Sequence, residues 1–471
     1  MLREDGTPLR VALRAWHEDA QRNPSPAVPA TTRPVTTCAD DGPGSLRVVI
    51  ANSASGDTVD LTALTCSEIT LQTGAIAAHV DTLTLAGPTS RQLAIDGGDV
   101  DRVFLHYGGG SFTLRDLTVR NGRRRATGFH VAIGGCIASA GYLTLDHSLV
   151  TACYAGGEGA YGGAIYAYSL ILSSSTLSNN LAYGVHPDAG MAAFGGAAFV
   201  YQIDLVDSTV TSNSARHFFN PTRPSYDIGG GILTVRGGLV INSTIDSNYA
   251  HGRGGGLASF SSMLVRNSTI SGNTAETFGG GGLLLRFPAN LDMRNSTVTA
   301  NRSRDGGGIM LSPYAASMQS SIVAGNTADH RYAADLSTQR TATIGGAHNL
   351  IGITDSDVTV PTDSVLGSPG LLPLSHNGGP TRTHALRTDS PAIDAGSNTA
   401  QLSSDQRGDG YPRVIGAAAD IGAFEFDPAA AAAADVAVPS ASFGALTVLT
   451  ALLAFLGLRT ARRRGDSRVR G

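Results

Sequence analysis

The sequence predicts an all-β fold, a right-handed parallel β-helix, and three observations lead to this prediction. Short words centred on Ser-x-apolar recur through the middle of the chain, with gaps of 24 to 35 residues. An irregular period of this length is typical of a solenoid in which the loops differ in length from turn to turn. Each word alternates polar and apolar residues as a strand does. Asparagines and glycine clusters follow the words, and these residues favour tight corners.

The repeated words predict what lies inside the solenoid and at its corners. Compare "INSTIDSNYAHGRGGG" (241–256) with "RNSTVTANRSRDGGG" (294–308). Consecutive turns stack at ~4.8 Å, so like residues fall above like and the Ile, Leu and Val should form one apolar column. Asn accepts left-handed backbone geometry at a bend, and stacked Asn side chains can form a hydrogen-bonded ladder. The predicted ladder residues are Asn213, Asn248, Asn273, Asn301 and Asn326.

Two other interpretations of the repeat are weaker. A β-propeller needs blades of some 40 residues with four strands each. The Asn-Ser-Thr triplets at Asn242, Asn267 and Asn295 match a glycosylation sequon, but their fixed place in the repeat favours a structural role.

The two ends of the chain differ from its middle. Residues 1–36 contain charges and prolines but no apolar segment of the signal-peptide kind, so export would use another route or the true start would lie upstream. Residues 440–458 form a 19-residue run without a charge, and six arginines follow it. Such a run can span a bilayer with its basic flank in the cytoplasm; a buried core helix is the alternative.

These features predict six segments. They are a flexible leader (1–36), the β-helix of roughly eleven turns of ~28 residues (37–345), a segment that continues the helix or caps its C-terminal end (346–427), an Ala-rich linker (428–439), a transmembrane sorting or anchor helix (440–458) and an Arg-rich cytoplasmic tail (459–471).

Composition excludes some functions and leaves the cysteines open. The net charge of −4 gives no indication of nucleic-acid binding. The four cysteines form no CxxC and the histidines are scattered, so no zinc site is predicted. In an exported chain the nearest pairs, Cys38–Cys66 and Cys136–Cys153, would form disulfides. Buried free thiols are the alternative.

Three stretches resemble known modules. "TTCADDGPGSLRVVIANSASGDTVDL" (36–61) resembles the opening segment of bacterial surface β-helix proteins related to the CSLREA-type family, in which a short amphipathic helix caps the first turn. "NGGPTRTHALRTDSPAIDAG" (377–396), with "DQRGDGYPR" (405–413) and "DIGAFEF" (420–426), resembles the choice-of-anchor Q domain. The hydrophobic span and Arg-rich end resemble a PEP-CTERM-type sorting tail, although "VAVPSAS" lacks the usual Pro-Glu-Pro. These resemblances imply export, a sorting protease and attachment at the cell surface, and they imply no reaction.

A pectin-lyase-like solenoid also carries polysaccharide lyases and hydrolases, so candidate catalytic groups need separate attention. A lyase needs carboxylates for Ca²⁺ and a basic side chain, whereas a hydrolase needs carboxyl groups about 5 to 9.5 Å apart. The candidate carboxylates are Asp96, Asp99, Asp101, Asp116, Asp204, Asp207, Asp246 and Asp292 in the solenoid, and Asp389, Asp394, Asp405, Asp409, Asp420 and Glu425 near its end. Corner or solvent positions are the preferred explanation for the first set, and turn chemistry is preferred to a Ca²⁺ site for the second.

Other polar and aromatic groups are also considered. Arg115, Arg120 and Arg123 to Arg125 form a basic edge that could contact an anionic glycan or simply be solvated. Tyr154, Tyr161, Tyr166 and Tyr168 could stack on sugars or pack. His106, His130 and His147 are expected at the surface. No catalytic, cofactor-binding or metal-binding residue is assigned. The predicted function is adhesion or glycan contact by a non-catalytic protein at the cell surface or outside the cell, with a polysaccharide lyase or glycoside hydrolase as the alternative.

Overall fold

The fold is a parallel β-solenoid, as the sequence predicts. The computed structural model describes residues 7–22, 29–89, 93–127, 130–185, 192–217, 226–286, 289–312, 315–329 and 333–431. Strands on successive turns pair in parallel and in register. Between residues 37 and 345, ten strands of one sheet mark ten successive levels, against roughly eleven turns expected from the repeat length.

Within the described residues, the strands form four parallel sheets. Sheet 1, with 20 strands, contains Thr32–Pro34, Thr58–Asp60, Ile76–Ala78, Leu83–Ala86, Phe104–His106, Ser111–Arg115, Ile137–Asp146, Ile165–Ser173, Ala198–Val206, Ile232–Thr234, Gly238–Ile241, Leu257–Ser259, Met263–Arg266, Leu283–Leu285, Asn290–Arg294, Ile309–Leu311, Ala315–Gln319, Leu336–Thr338, Ala342–Ala347 and Val358–Thr359. Sheet 2, with 12 strands, contains Glu68–Thr70, Leu93–Asp96, Leu117–Arg120, Leu149–Thr151, Thr176–Ser178, Thr209–Thr211, Thr244–Asp246, Thr269–Ser271, Thr297–Thr299, Ile322–Val323, Leu350–Ile351 and Val365–Leu366. Sheet 3, with eight strands, contains Arg123–Arg125, Tyr154–Gly157, Leu181–Gly184, Ser214–His217, Tyr249–Ala250, Thr274–Ala275, Arg302–Ser303 and Thr327–Ala328. Sheet 4, with three strands, contains Val131–Ile133, Gly159–Tyr161 and Ala193–Phe194.

A single apolar column fills the interior. In sheet 2 its members lie directly above one another and are fully buried, because register places one inward residue per turn. They are Ile69, Ile95, Val119, Val150, Leu177, Val210, Ile245, Ile270, Val298, Val323 and Ile351. Burying each of these side chains contributes about 1.5–3 kcal/mol. The predicted column is confirmed.

The predicted asparagine ladder is present and extends one turn further. Each amide Nδ2 donates to the Oδ1 of the next asparagine at 2.9 Å, and each backbone N–H donates to the same oxygen at 3.0 Å. The ladder runs through Asn180, Asn213, Asn248, Asn273, Asn301 and Asn326 and ends on the carboxylate of Asp335. These buried amides satisfy backbone carbonyls that would otherwise lack partners.

A second ladder at the opposite end of each sheet 2 strand was not predicted. Each buried serine Oγ accepts a backbone N–H of the preceding turn at 3.0–3.3 Å; the donor is Leu117 for Ser148 and a serine for all the others. Its members are Ser148, Ser175, Ser208, Ser243, Ser268, Ser296 and Ser321, followed by Asn349. The residue before each serine is in the left-handed region, as at Asn267 (φ 52°) and Asn295 (φ 45°). Both are 1% exposed, which supports the structural role predicted for these Asn-Ser-Thr triplets.

Glycines turn the chain from the loops into sheet 1. Gly162 has φ 70°, and a Cβ there would lie 1.8 Å from the carbonyl oxygen of Ile165. At Gly163 a Cβ would lie 2.0 Å from the carbonyl oxygen of Gly196 on the next turn. Only glycine fits at these corners.

Both predicted disulfides form. Cys38 bonds to Cys66 and Cys136 bonds to Cys153, and the described residues contain no free cysteine. The second bond links two corners of one turn.

The N-terminal region differs from the expected flexible leader. Helix α1 (Thr7–Arg22) contacts the outer face of sheet 1: the His17 ring stacks on Tyr168 at 3.6 Å and its Nδ1–H donates to the carbonyl oxygen of Ala140. The strand Thr32–Pro34 pairs with Thr58–Asp60, so the solenoid begins before residue 37. These contacts are tertiary. The apolar residues Leu9, Leu13 and Trp16 do have the i, i+4, i+7 spacing of an amphipathic helix, a local pattern from which a helix could have been predicted.

Helix α2 (Leu46–Ala51) lies in the stretch where the resemblance predicted a short capping helix. Ser45 is its N-cap, accepting the backbone N–H of Val48, and Leu46 and Ile50 are buried against the first turns.

The C-terminal segment covers a side of the solenoid as well as extending it. The strands Leu350–Ile351 and Val365–Leu366 continue sheet 2. Residues 367–426, called the flanking module here, then fold back along the outer face of sheet 2. Their Leu386, Ala392 and Ile421 pack against Ile322 and Leu350 of that sheet. This placement differs from the end cap that was one of the two predicted arrangements.

Asp427 begins a separate unit, in which its carboxylate accepts the backbone N–H groups of Ala429 and Ala430. Searching the described ranges for a helix both long and apolar enough to cross a membrane finds none. The predicted anchor helix (440–458) and Arg-rich tail (459–471) lie outside these ranges.

Candidate functional site

An elongated groove of about 990 Å³ lies on the outer face of sheet 1. In the strand Ala198–Val206, Ile203 and Leu205 are buried in the interior, so the alternating Gln202 and Asp204 face the groove. The same alternation on five further strands of sheet 1 places one or more outward side chains per turn along the groove.

Parallel register arranges the groove residues in columns. The column that starts at Asp204 continues with Leu239, Leu264, Asp292 and Ser317 on the next four turns. Leu239 and Leu264 therefore form an apolar floor with a carboxylate on either side. Arg236, Asn290 and Arg294 add hydrogen-bond donors around this floor.

The two carboxylates have different environments. Burial raises the pKa of Asp204 above its ordinary value, although a backbone hydrogen bond from Leu239 favours the charged form. Among the described residues, no group hydrogen-bonds to the buried Oδ1 of Asp204. Asp292 instead pairs with Arg294 through two hydrogen bonds of 2.9 Å, and this contact raises the pKa of Arg294.

The distance between the carboxylates of Asp204 and Asp292 is longer than that in a hydrolytic site. Asp204 and Asp292 are three turns apart in one column, which is roughly 14 Å at the usual strand spacing. Glycoside hydrolases place their two carboxyl groups about 5 to 9.5 Å apart. Asp246 does not help, because it lies on sheet 2, where Arg382 of the flanking module pairs with it at 2.6 Å. Asp246 and Asp292 are both among the candidate carboxylates of the sequence, and a shared register on adjacent turns would have made them a pair; that arrangement is wrong, because they lie on different sheets.

The acidic group at 96–101 and the basic edge neutralise each other. Burial alone would raise the pKa of Asp96, but hydrogen bonds from Gly98 N, Arg120 and Asn121 outweigh it and lower the pKa. Asp99 and Asp101 pair with Arg123 and Arg124 at 3.5 and 3.4 Å.

The remaining solenoid candidates lie at corners or in cross-strand pairs. Asp116 and Asp207 have φ of 55° and 50°, which is the corner position predicted as the alternative to catalysis. Arg115 pairs with Asp146 on the next turn.

Carboxylates of the flanking module bind backbone N–H groups, which is the turn chemistry predicted for them, and also arginines, which was not predicted. Asp394 accepts from Ala417 and Ala418, and Asp420 accepts from Asp394 and Phe426. Asp389, by contrast, pairs with Arg387 at the surface.

Two buried ion pairs form the centre of the module. Arg407 donates to Asp405 and its guanidinium lies between the rings of Tyr411 and Phe424. Arg413 donates to Glu425 at 2.8 Å. Burial raises the pKa of Glu425 to about 7, against the opposing effects of Arg413 and of backbone N–H groups.

The four candidate tyrosines pack against other side chains and do not form an exposed aromatic surface on which a sugar could stack. Tyr166 is buried beside Phe199, and Tyr161 packs on the same ring. Tyr168 stacks on His17 and Tyr201, whereas the half-buried Tyr154 lies under Arg123.

Of the three histidines expected at the surface, His130 and His147 are exposed. His106 is fully buried, so that expectation is wrong for it; its Nδ1 contacts Ser139 Oγ at 2.8 Å, and burial lowers its pKa.

Sequence reasoning missed one cluster. His217, Asp227 and His251 meet at the sheet 3 corner although His217 and Asp227 are ten residues apart and His251 belongs to the next turn. Because His251 lies a full turn away from His217 in the sequence, the three residues match no short metal-binding motif. Only the stacking of successive turns could have indicated that they meet.

Comparison of the chain with protein-family models, with curated proteins and with solved structures gave no match. The function is therefore inferred from the geometry of the groove.

Proposed function

We propose that this protein is an exported, non-catalytic, right-handed β-helix that binds an extended polysaccharide in the groove of sheet 1. The observation that carries the proposal is the groove itself, to which six successive turns contribute side chains. Six turns extend over roughly 24 Å at the usual strand spacing. A groove of this length suits a polymer that runs along the solenoid axis better than a small molecule.

The chemistry of the lining supports a carbohydrate. The aliphatic floor of Leu239 and Leu264 would contact the apolar face of a sugar ring, and the polar side chains around it would bind hydroxyl groups. Arg294 is held in place by Asp292, so its remaining N–H groups are preorganised for a ligand. Arg236 and Asn290 add donors on the neighbouring column.

Export and attachment belong to the same proposal. Two disulfides are typical of proteins that fold in an oxidising compartment. The uncharged run at 440–458 and its basic flank would hold the chain in the membrane, with the solenoid outside, until a sorting protease acts.

A lyase or hydrolase on the same fold is the second candidate, and Asp204 favours it. Its buried Oδ1 makes no hydrogen bond to a described residue, and its raised pKa would suit a general acid or base. The roughly 14 Å to Asp292 leaves it without a carboxylate partner in its own column.

The test is a polysaccharide array probed with the purified protein, with each bound polysaccharide then assayed for new reducing ends and for absorbance from unsaturated products. We expect binding without products. Arg294→Gln should weaken binding about tenfold, which corresponds to about 1.4 kcal/mol for a lost charged hydrogen bond.

Arg115→Gln is the matched control, because Arg115 forms the same kind of ion pair on the outer face of sheet 1 outside the groove. Equal losses in the two variants would place binding elsewhere. If the wild-type protein releases products and Asp204→Asn does not, the protein is an enzyme and the proposal of a non-catalytic function is wrong.

A further inference from the structure

Two histidines and an aspartate converge at a corner of sheet 3, away from the groove. His217 ends the strand Ser214–His217, and His251 follows the paired strand Tyr249–Ala250 on the next turn. The stacking of turns brings the two imidazole rings to 4.6 Å between centroids, 23° from parallel. Asp227 enters the corner just before Ile228, which bridges to both neighbouring turns.

The distances fit a metal-binding set. One ligand atom from each of the three residues lies within 4.8 Å of the other two. Asp227 Oδ2 is 2.6 Å from His217 Nδ1 and 3.9 Å from His251 Nδ1. Zinc bonds of about 2.0–2.1 Å place tetrahedral ligands roughly 3.3 Å apart, so small side-chain rotations bring all three atoms onto one ion.

The surroundings resemble the outer shell of a zinc site. The second carboxylate oxygen of Asp227 accepts the backbone N–H of Ala193 at 2.7 Å, which fixes the carboxylate. Glu276 lies 3.9 Å from Nε2 of His251, on the side of the ring away from Asp227. In this structure Glu276 accepts the Tyr249 hydroxyl and is too far from His251 for a hydrogen bond. We expect metal binding to bring it onto the second N–H of His251, because a carboxylate in that position orients a ligating ring and strengthens the metal bond.

Burial distinguishes the cluster from surface histidines. His217, Asp227 and His251 are 6%, 0% and 8% exposed. His251 is stacked on His217 beside the His217–Asp227 hydrogen bond and lies 3.9 Å from both Asp227 and Glu276. Within the described part of the chain, no other group of three His, Cys, Asp or Glu residues is brought together in this way.

We propose that His217, His251 and Asp227 bind a divalent transition-metal ion of the zinc class. Two imidazoles and a carboxylate suit zinc. The ion takes the place of the proton between His217 and Asp227. It ties the ends of two adjacent turns to the segment that enters Ile228, so its role is structural and independent of the groove.

The test uses the full chain without a histidine tag, stripped by a chelator and dialysed against zinc sulfate. Mass spectrometry of the metal content should find one zinc per chain. His251→Gln and Asp227→Asn should each lose it, whereas His348→Gln should keep it, because His348 is an exposed histidine beside Asp363 at 3.8 Å. Wild-type protein without zinc, or variants that all retain it, would overturn the proposal.

Two measurements decide the case if the ligand variants do not fold. X-ray absorption at the zinc edge of the wild-type protein should show two imidazoles with oxygen ligands; a shell with one imidazole or none contradicts the site. Glu276→Gln changes a half-exposed residue outside the ligand set and should weaken zinc binding about 10- to 100-fold.

Discussion

The tetrapeptide Ser-Thr-Val-Thr occurs twice in sheet 2, at 208–211 and at 296–299, in two different environments. In both copies the serine and valine are buried. The outward Thr209 and Thr211 are partly exposed, whereas Thr297 and Thr299 are 3% and 5% exposed. The flanking module packs on the second copy, where Ala423 donates to Thr297, and contacts the first copy through Arg382, which donates to Thr211 at 3.4 Å. Identical local sequence therefore fixes the strand and its inward side, and distant residues decide what lies on its outer side.

Threonine suits both environments. Its β-branched side chain fits a strand whether or not the strand is covered. When a second layer arrives, its hydroxyl becomes a hydrogen-bond partner: Thr244 donates to the carbonyl oxygen of Arg382, Thr269 donates to Gln406, and Thr297 accepts from Ala423. The solenoid side of the interface is thus polar at these threonines and apolar at Ile322 and Leu350, on later turns.

The largest effect is expected from a substitution inside the flanking module that loosens the module and changes no residue of sheet 2. Arg413 is 1% exposed and donates to Glu425, to the carbonyl oxygens of Gly422 and Asp420, and to Asn267 of the solenoid. Arg413→Met leaves the Glu425 carboxylate buried without its partner, which should cost about 3–5 kcal/mol. Hydrogen exchange should then show residues 367–426 losing protection while the strands at 165–211 keep theirs.

Arg387→Met is the matched control, because Arg387 and Asp389 form an exposed ion pair in the same module. Such a pair contributes about 1 kcal/mol or less, so its protection pattern should stay that of the wild type. Loss of protection throughout the solenoid in Arg413→Met would show that the covered and bare strands unfold together.

The second largest effect is expected when the same Thr→Val substitution is made in each copy of the tetrapeptide. Thr297 Oγ1 accepts the backbone N–H of Ala423 at 3.0 Å. Thr297→Val leaves that N–H buried and unpaired, which should cost about 1–3 kcal/mol in the free energy of opening of the module. Thr209→Val makes the same change on a partly exposed strand and should stay within about 0.5 kcal/mol. Amide exchange of each variant measures both values, and equal costs would mean that the covering contact contributes nothing.

Sequence reasoning succeeded where the determinants repeat locally. The inward column, the asparagine ladder at Asn213 to Asn326 and the pairing of Cys38 with Cys66 all follow from residues within one or two turns. The sequence pattern did not predict the serine ladder, because the serine of each repeated word also fits the polar position of an alternating strand. Its Oγ accepts a backbone N–H from the preceding turn, a contact that alternation alone does not announce.

Contacts between distant segments account for other misses. Nothing near Asp246 announces Arg382, which lies 136 residues away and makes Asp246 an interface residue instead of a groove residue. His106 was missed for a different reason: its Nε2 contacts carbonyl oxygens of Val80 and Asp81 on the preceding turn, and the repeat does not mark this position as inward. The groove residues were individually visible, as Asp204 and Asp292 were, but their separation required the register of three turns.

The smallest effect tests how far the covering extends around a turn. Ala152 and Ala300 occupy the same corner after their sheet 2 strands, with φ of 54° and 55°, and both are exposed. Left-handed geometry costs alanine about 1–2 kcal/mol, and glycine avoids this strain while losing more backbone entropy. Ala152→Gly and Ala300→Gly should therefore stabilise their turns by about 0.5–1 kcal/mol each. Because the module covers the face of the strand and leaves this corner exposed, the gains measured by amide exchange should be equal. A gain at Ala152 alone would mean that the module already restrains the corner at Ala300 and that the boundary between covered and bare surface lies beyond the strand.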